Sequence, residues 1–148
     1  MTRVVLDTNI WLDWLVFQDT GIAHIGQLQG AGHIEICIDA ACEAELAEVL
    51  ARPFGKRSLD ANGQAAALAL CRRATTRIGA RLSEPERARL PQCRDPDDQK
   101  FLEAALAAGA DVLITKDRAL LDLSRRRKSQ VGRTVAFRIL TPDEFAER

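Results

Sequence analysis

Acidic residues follow three apolar segments of this sequence. Asp7 comes directly after Val-Val-Leu at 4–6, Asp39 follows the alternating segment 34–38, and Asp117 lies just beyond Val-Leu-Ile at 112–114. In an open parallel α/β sheet the carboxyl ends of the strands meet at one edge, where sites form. One such acid could simply cap the next helix. Three in one chain predict a carboxylate-lined site at that edge.

A predicted helix over 97–108 adds a further carboxylate. Asp98 precedes three apolar residues by three, four and seven positions, which places it on the apolar face in the first turn. A carboxylate directed at a core needs a cation, hydrogen bonds or a wet cleft. Asp97 is turned toward solvent, and Asp95 before Pro96 is a candidate for capping a turn. Asp98 is therefore the preferred site residue here.

The predicted helix over 40–52 carries three glutamates. Glu43 and Glu45 lie on opposite borders of its apolar stripe, whereas Glu48 lies away from the stripe and is expected to be solvated. Helical geometry alone does not choose between Glu43 and Glu45.

Carboxylates that meet at one edge cannot all stay ionised without compensation. Oxygen-only ligand sets select Mg²⁺ or Mn²⁺ over zinc. Such a centre activates water and offsets charge on a phosphodiester. His24 and His33 give no convincing Ser-His-Asp or Cys-His arrangement, and neither glycine-rich nucleotide motif occurs. The acids therefore favour metal-dependent phosphodiester hydrolysis.

The elements that position these residues alternate along the chain. Strands are predicted at 4–6, 34–38, 112–114 and 135–139, and helices lie between them, including a long one over 61–78. Residues 82–96 hold three prolines and are expected to form a loop or short turns. This order predicts one α/β domain over 1–148, with a parallel sheet between helices.

Composition narrows the class of protein. The 148 residues carry 21 basic and 21 acidic side chains, so no overall charge draws the chain to a polyanion or a membrane. No apolar run approaches a membrane span, and no secretion signal is visible. The four cysteines form no C-x-x-C pair. We expect a cytoplasmic protein with reduced thiols.

Several of these segments resemble the PIN-domain family of nucleases. The opening Val-Val-Leu-Asp-Thr-Asn at 4–9 is similar to the first strand and D-T-N turn of the family. The segments 45–50, 98–105 and 113–121 resemble its second, third and fourth acidic motifs, and 139–145 is similar to the end of bacterial and archaeal members regarded as toxin components. The resemblance spans essentially the whole chain.

The resemblance implies a role for each matching residue. An acidic pocket that holds Mg²⁺ or Mn²⁺ would consist of Asp7, Glu45, Asp98 and Asp117. The resemblance thereby selects Glu45 over Glu43. Asn9 would hydrogen-bond to Asp7 or to a metal-bound water. Thr8 and Thr115 would contact the ligand side chains instead of the metal. The family fold is a three-layer α/β/α arrangement with a twisted parallel sheet.

The resemblance also implies hydrolysis of RNA, frequent homodimers, and restraint of many members by a small antitoxin. Phosphate contacts are expected from basic residues near the fourth motif: Lys116, Arg118, Arg125, Arg126, Arg127 and Lys128. Trp11 and Trp14 are interpreted as core or interface aromatics.

Two other functions fit parts of the pattern. One is a PIN-like domain that binds RNA or a partner without catalysis. The other is a receiver-like, Mg²⁺-dependent phosphoswitch, in which Asp39 would be phosphorylated and Lys116 would assist. The helix-borne Asp98 fits the phosphoswitch poorly.

Overall fold

The computed structural model describes residues 1–126 and 136–147, without the side chains of residues 125 and 126. Five strands form its sheet: β1 Thr2–Leu6, β2 Ile34–Ile38, β3 Thr75–Arg77, β4 Val112–Ile114 and β5 Arg138–Leu140. The eight α-helices of the described part are α1 Thr8–Leu15, α2 Ala23–Gly30, α3 Ala40–Leu50, α4 Ala61–Ala74, α5 Glu84–Arg89, α6 Gln99–Ala108, α7 Arg118–Arg126 and α8 Pro142–Glu147. None of them is long and apolar enough to span a bilayer.

The sheet is parallel throughout, in the order β3-β2-β1-β4-β5. Its central strand β1 pairs with β2 on one side and β4 on the other, with Val4 opposite both Ile36 and Val112. Three consecutive residues of β1 and all of β4 are buried. Successive side chains point to opposite faces, so both faces of the sheet are covered, as in three-layer folds. The predicted α/β class is confirmed.

The predicted helix over 61–78 is wrong in its last four residues. Helix α4 ends at Ala74, and Thr75–Arg77 form β3 at the edge of the sheet. Thr75 and Thr76 are β-branched and favour extended backbone, and β2 offers an open edge: the Ile78 N–H donates to the Ile38 carbonyl at 2.8 Å. Tertiary pairing therefore overrides the helical pattern.

Two further segments differ from the sequence prediction. The proline-containing segment 82–96 includes the short helix α5, which Ser83 and Glu86 begin with reciprocal side-chain to backbone hydrogen bonds. The predicted helix over 97–108 is divided: Pro96–Asp98 form a 3₁₀ turn and α6 follows it. Helix α6 ends at Gly109, whose φ of 60° lies in the left-handed region that favours glycine.

Candidate active site

Asp7 lies where β1 ends and α1 begins. Its carboxylate accepts a hydrogen bond from the Thr115 hydroxyl at 2.6 Å and one from the backbone N–H of Asn9 at 3.4 Å. The Asn9 side chain, for which a role was predicted, is exposed. Burial raises the pKa of Asp7, and the charges of Asp117 and Glu45 raise it further, whereas its two hydrogen bonds oppose the shift.

Thr115 connects the ends of the two neighbouring strands. Its side chain is fully buried; the hydroxyl donates to Asp7 and accepts from the backbone N–H of Asp117 at 2.9 Å. Asp117 in turn begins α7, because its Oδ1 accepts from the N–H groups of Ala119 and Leu120 at 2.8 and 3.3 Å. The parallel pairing of β1 with β4 thus brings Asp7 and Asp117 to one edge, although they are far apart in the sequence.

Asp98 completes a group of three carboxylates with Asp7 and Asp117. It ends the 3₁₀ turn, and its Oδ2 is buried without a hydrogen-bond partner in the part of the chain that the structure describes. The pKa of Asp98 rises to about 7, because burial disfavours its charge and because the carboxylates of Asp117, Asp7 and Asp95 are near. Its carboxyl also lies within hydrogen-bonding reach of Asp117.

The other acids of that segment take different positions. Asp97 is exposed, and Asp95 begins the 3₁₀ turn by accepting from the backbone N–H of Asp97 at 3.0 Å. The apolar residues of α6 selected Asp98, which lies near the carboxylates of Asp7 and Asp117, whereas Asp97 is exposed; Asp98 itself precedes the helix.

Glu45 lies on α3 at the border of this group. The Thr8 hydroxyl donates to Glu45 Oε2, and the Lys100 ammonium donates to Oε1 at 2.9 Å. The hydrogen bond to Glu45 raises the pKa of Lys100. Sequence reasoning missed Lys100. Its signal was a cationic residue two positions after Asp98, near the start of the helix that follows this acid.

Glu43 faces the opposite side of α3. Its side chain is 9% exposed and forms ion pairs with Arg72, at 2.6 Å, and with Arg77. These arginines belong to α4 and β3, so Glu43 joins two elements at the sheet edge. Glu48 is 76% exposed, as expected for a surface charge. Helix α3 thus directs one glutamate toward the carboxylate group and another away from it.

The basic residues near the fourth motif have different surroundings. Lys116 forms ion pairs with Asp13 at 2.7 Å and Asp19 at 3.6 Å, which directs its ammonium toward the end of α1. Arg118 is exposed at the start of α7. The remaining predicted phosphate contacts lie outside the described residues, as side chains at 125 and 126 or entirely: Arg125, Arg126, Arg127 and Lys128.

A cavity of about 720 Å³ lies elsewhere, between α1, α2 and α4. Its lining is mainly apolar and includes Trp14, Leu15 and Leu70, with Asp19 as its one carboxylate. None of the four predicted acids lines it, so this cavity is separate from the candidate site.

The four predicted carboxylates can be compared with the ligands that a divalent cation requires. Within residues 1–126 and 136–147, no three His, Cys, Asp or Glu side chains form a ready-made metal cluster. The four predicted donors are all carboxylates, which suit Mg²⁺ or Mn²⁺, and none of these described residues gives the buried Asp98 Oδ2 a hydrogen bond. A cation beside Asp98 would satisfy this oxygen and offset the repulsion that raises its pKa. The residues fit such an ion.

Comparisons with known proteins agree with this fold. The sequence model of the PIN domain matches residues 3–119. A crystal structure of VapBC2 from Rickettsia felis, bound to a DNA fragment from their promoter, contains a similar chain with a TM-score of 0.59 and 16% sequence identity. The alignment covers 95% of this chain and 98% of that one. A search of curated proteins finds no match.

Proposed function

This chain belongs to the PIN domain family, and from that premise we propose that it is a metal-dependent endoribonuclease, the toxin component of a toxin–antitoxin pair, in one domain over 1–148. One observation carries the proposal: Asp98 is held beside Asp7 and Asp117, and its buried Oδ2 has no hydrogen-bond partner among the described residues. A purely structural site has no evident use for this arrangement, because like charges in a partly buried position lower stability.

Mg²⁺ or Mn²⁺ would be held by Asp7, Glu45, Asp98 and Asp117. Bound there, the cation would supply an activated water and stabilise charge on the scissile phosphate. The protein's own groups set the geometry of the ligands. Thr115 fixes one oxygen of Asp7, Thr8 fixes one oxygen of Glu45, and backbone N–H groups at the start of α7 fix Asp117.

RNA would be positioned by contacts to its phosphates. The proposed groups are Lys116 and Arg118, which flank Asp117, together with the basic run 125–128. Lys116 would have to exchange its ion pairs with Asp13 and Asp19 for a phosphate. Such exposed pairs contribute only about 1 kcal/mol or less, so the exchange has a small cost.

The VapBC2 structure supports the toxin assignment, since the similar chain there comes from a VapBC complex. We extend this to a small antitoxin partner and to a homodimer, the commonest symmetric oligomer. A cytoplasmic location belongs to the same proposal. The four buried free thiols suit a reducing compartment.

The phosphoswitch finds no support in the geometry. Asp39 begins α3 by accepting from the backbone N–H of Cys42 at 2.9 Å, and Lys116 pairs with Asp13 and Asp19 instead.

The test is cleavage of end-labelled single-stranded RNA and of total cellular RNA, with Mn²⁺, with Mg²⁺ and with a chelator. We expect metal-dependent cleavage by the wild type and none by Asp7→Asn. Asp39→Asn is the matched control, since both aspartates follow a strand and cap a helix, and it should keep the activity. If the wild type cleaves neither RNA, the chain is a binding domain instead. If Asp7→Asn cleaves normally, the chemistry lies elsewhere.

A further inference from the structure

The Lys100–Glu45 ion pair joins the two helices that carry candidate metal ligands. Glu45 lies on α3, and Lys100 lies in the first turn of α6, just after Asp98. Both oxygens of Glu45 are occupied: the Thr8 hydroxyl donates to one and the Lys100 ammonium to the other, at 2.9 Å. The pair is not a loose surface contact, because the side chains of Lys100 and Glu45 are only 28% and 22% exposed.

A contact between α3 and α6 keeps Lys100 close to Glu45. The Cys42 thiol donates to the carbonyl oxygen of Lys100 at 3.9 Å, so the first turns of α3 and α6 touch. Cys42 and Leu46, which flank Glu45 on α3, are buried. Because the two helices approach closely at this point, the Lys100 ammonium lies next to the Glu45 carboxylate.

An ammonium group and a divalent cation both bind to the lone pairs of carboxylate oxygens. Two cations close together also repel each other. Glu45 Oε1 cannot serve Lys100 and a metal ion equally well. Any affinity of the site for a metal therefore includes the cost of separating Lys100 from Glu45.

We propose that Lys100 is a positioning residue that competes with the metal ion for Glu45: its ammonium holds and neutralises this carboxylate in the metal-free protein and must release it when the site is loaded. The inference rests on the proposed function, because it takes Glu45 as a ligand. It adds a residue that would lower metal affinity while supporting the empty site.

The experiment is a calorimetric Mn²⁺ titration together with a melting curve in chelator, on the wild type and on Lys100→Met, Lys100→Arg, Lys56→Met and Lys116→Met. Lys100→Met should bind Mn²⁺ about three- to tenfold more tightly, as expected for the loss of one partly buried ion pair. Without metal it should melt about 2–4 °C lower. Lys100→Arg keeps the charge and should stay within about twofold of the wild-type affinity.

The other two variants separate competition from general electrostatics. Lys56 is exposed in the turn Gly55–Arg57 and gives the same change in net charge away from the site. Lys116 adjoins Asp117 but pairs with Asp13 and Asp19. If competition for Glu45 operates, only Lys100→Met gains affinity appreciably. An equal gain in Lys116→Met, or weaker binding by Lys100→Met, would overturn the inference.

Failure of the proposed function has a different signature. If the wild type binds Mn²⁺ and Lys100→Met binds it no better, the inference fails and the metal site stands. If no variant binds Mn²⁺, both fail. Binding by Lys100→Met alone would support the competition in its strongest form.

Discussion

At the scale of single residues, the candidate site brings together carboxylates that the proposed function would use and whose mutual repulsion disfavours folding. Asp98 is the clearest case, since its buried Oδ2 has no hydrogen-bond partner within residues 1–126 and 136–147 and its acidic neighbours carry the same charge. The spacing of Asp98 from the apolar residues of α6 was enough to select it over Asp97. The position of Lys100, two residues after Asp98, did not identify its partner Glu45, because an ion pair between α3 and α6 depends on how the two helices approach each other.

The pKa of Asp98 predicts how stability depends on pH. The value is about 7 in the folded protein, against about 3.9 in an unfolded chain. The folded state binds the proton more tightly, so ionisation of Asp98 lowers stability as the pH rises from about 4 to about 7, and the loss persists above that. Without metal, Asp98→Asn should therefore melt a few degrees above the wild type at about pH 8, and the gap should narrow at about pH 5.

The measurement is thermal unfolding in chelator at both pH values. Asp97→Asn is the control, because Asp97 is exposed, and it should follow the wild type. A difference between Asp98→Asn and the wild type that is the same at both pH values would contradict this explanation.

At the scale of elements, α3 shows what helical geometry can and cannot decide. Helical geometry placed Glu43 and Glu45 on opposite borders of the apolar stripe. In the structure Glu43 pairs with arginines of α4 and β3, whereas Glu45 accepts hydrogen bonds from Thr8 and Lys100. The choice depends on which elements pack at each border. In particular it depends on β3, which the sequence pattern concealed within a predicted helix.

Glu43 is predicted to be structural. Glu43→Gln removes the charge that pairs with two arginines, and we expect the free energy of unfolding to fall by about 1–2 kcal/mol, a value reduced for the exposure of both arginines. Mn²⁺ affinity should not change. Glu48→Gln, at the exposed position, should alter stability by less than about 0.5 kcal/mol. Urea unfolding and calorimetry measure both quantities; a loss of Mn²⁺ binding in Glu43→Gln would move Glu43 into the site.

Helix α6, which carries Lys100 and follows Asp98, ends at Gly109. Gly109 has a φ of 60°, and a Cβ there would meet no atom of the described residues within 4 Å, so Gly109→Ala should cost about 1 kcal/mol through the backbone alone. Gly30 ends α2, and a Cβ there would also find open space among the described residues, but its backbone does not lie in the left-handed region. Gly30→Ala should therefore be neutral or stabilising. Equal effects in urea unfolding would refute the backbone explanation.

At the scale of the whole molecule, sheet topology assembles the site. The order β3-β2-β1-β4-β5 makes β1 and β4 neighbours, and Asp7 and Asp117 meet through Thr115 although more than a hundred residues separate them. This much could be predicted, because alternating strands and helices imply a parallel sheet whose carboxyl ends share an edge. The edge strand β3 and the short helix α5 could not, since pairing and capping outweighed the local pattern there.

Because the net charge is zero, the proposed RNA affinity would have to come from a local basic patch. We expect the triple substitution of Arg125, Arg126 and Arg127 by alanine to weaken RNA binding to a similar extent for all sequences. It should also reduce the slope of log affinity against log salt by about 2, as for three lost phosphate contacts on a single strand. Fluorescence anisotropy over a salt series in chelator measures this. An unchanged slope would exclude these arginines from the interface.

We propose above that Asp7, Asp98 and Asp117, with Glu45, hold a divalent cation. The decisive measurement is a calorimetric titration with Mn²⁺ of the wild type, Asp98→Asn and Asp97→Asn. We expect uptake by the wild type and by Asp97→Asn, and none by Asp98→Asn, which remains folded. Normal uptake by Asp98→Asn, or none by the wild type, would contradict it.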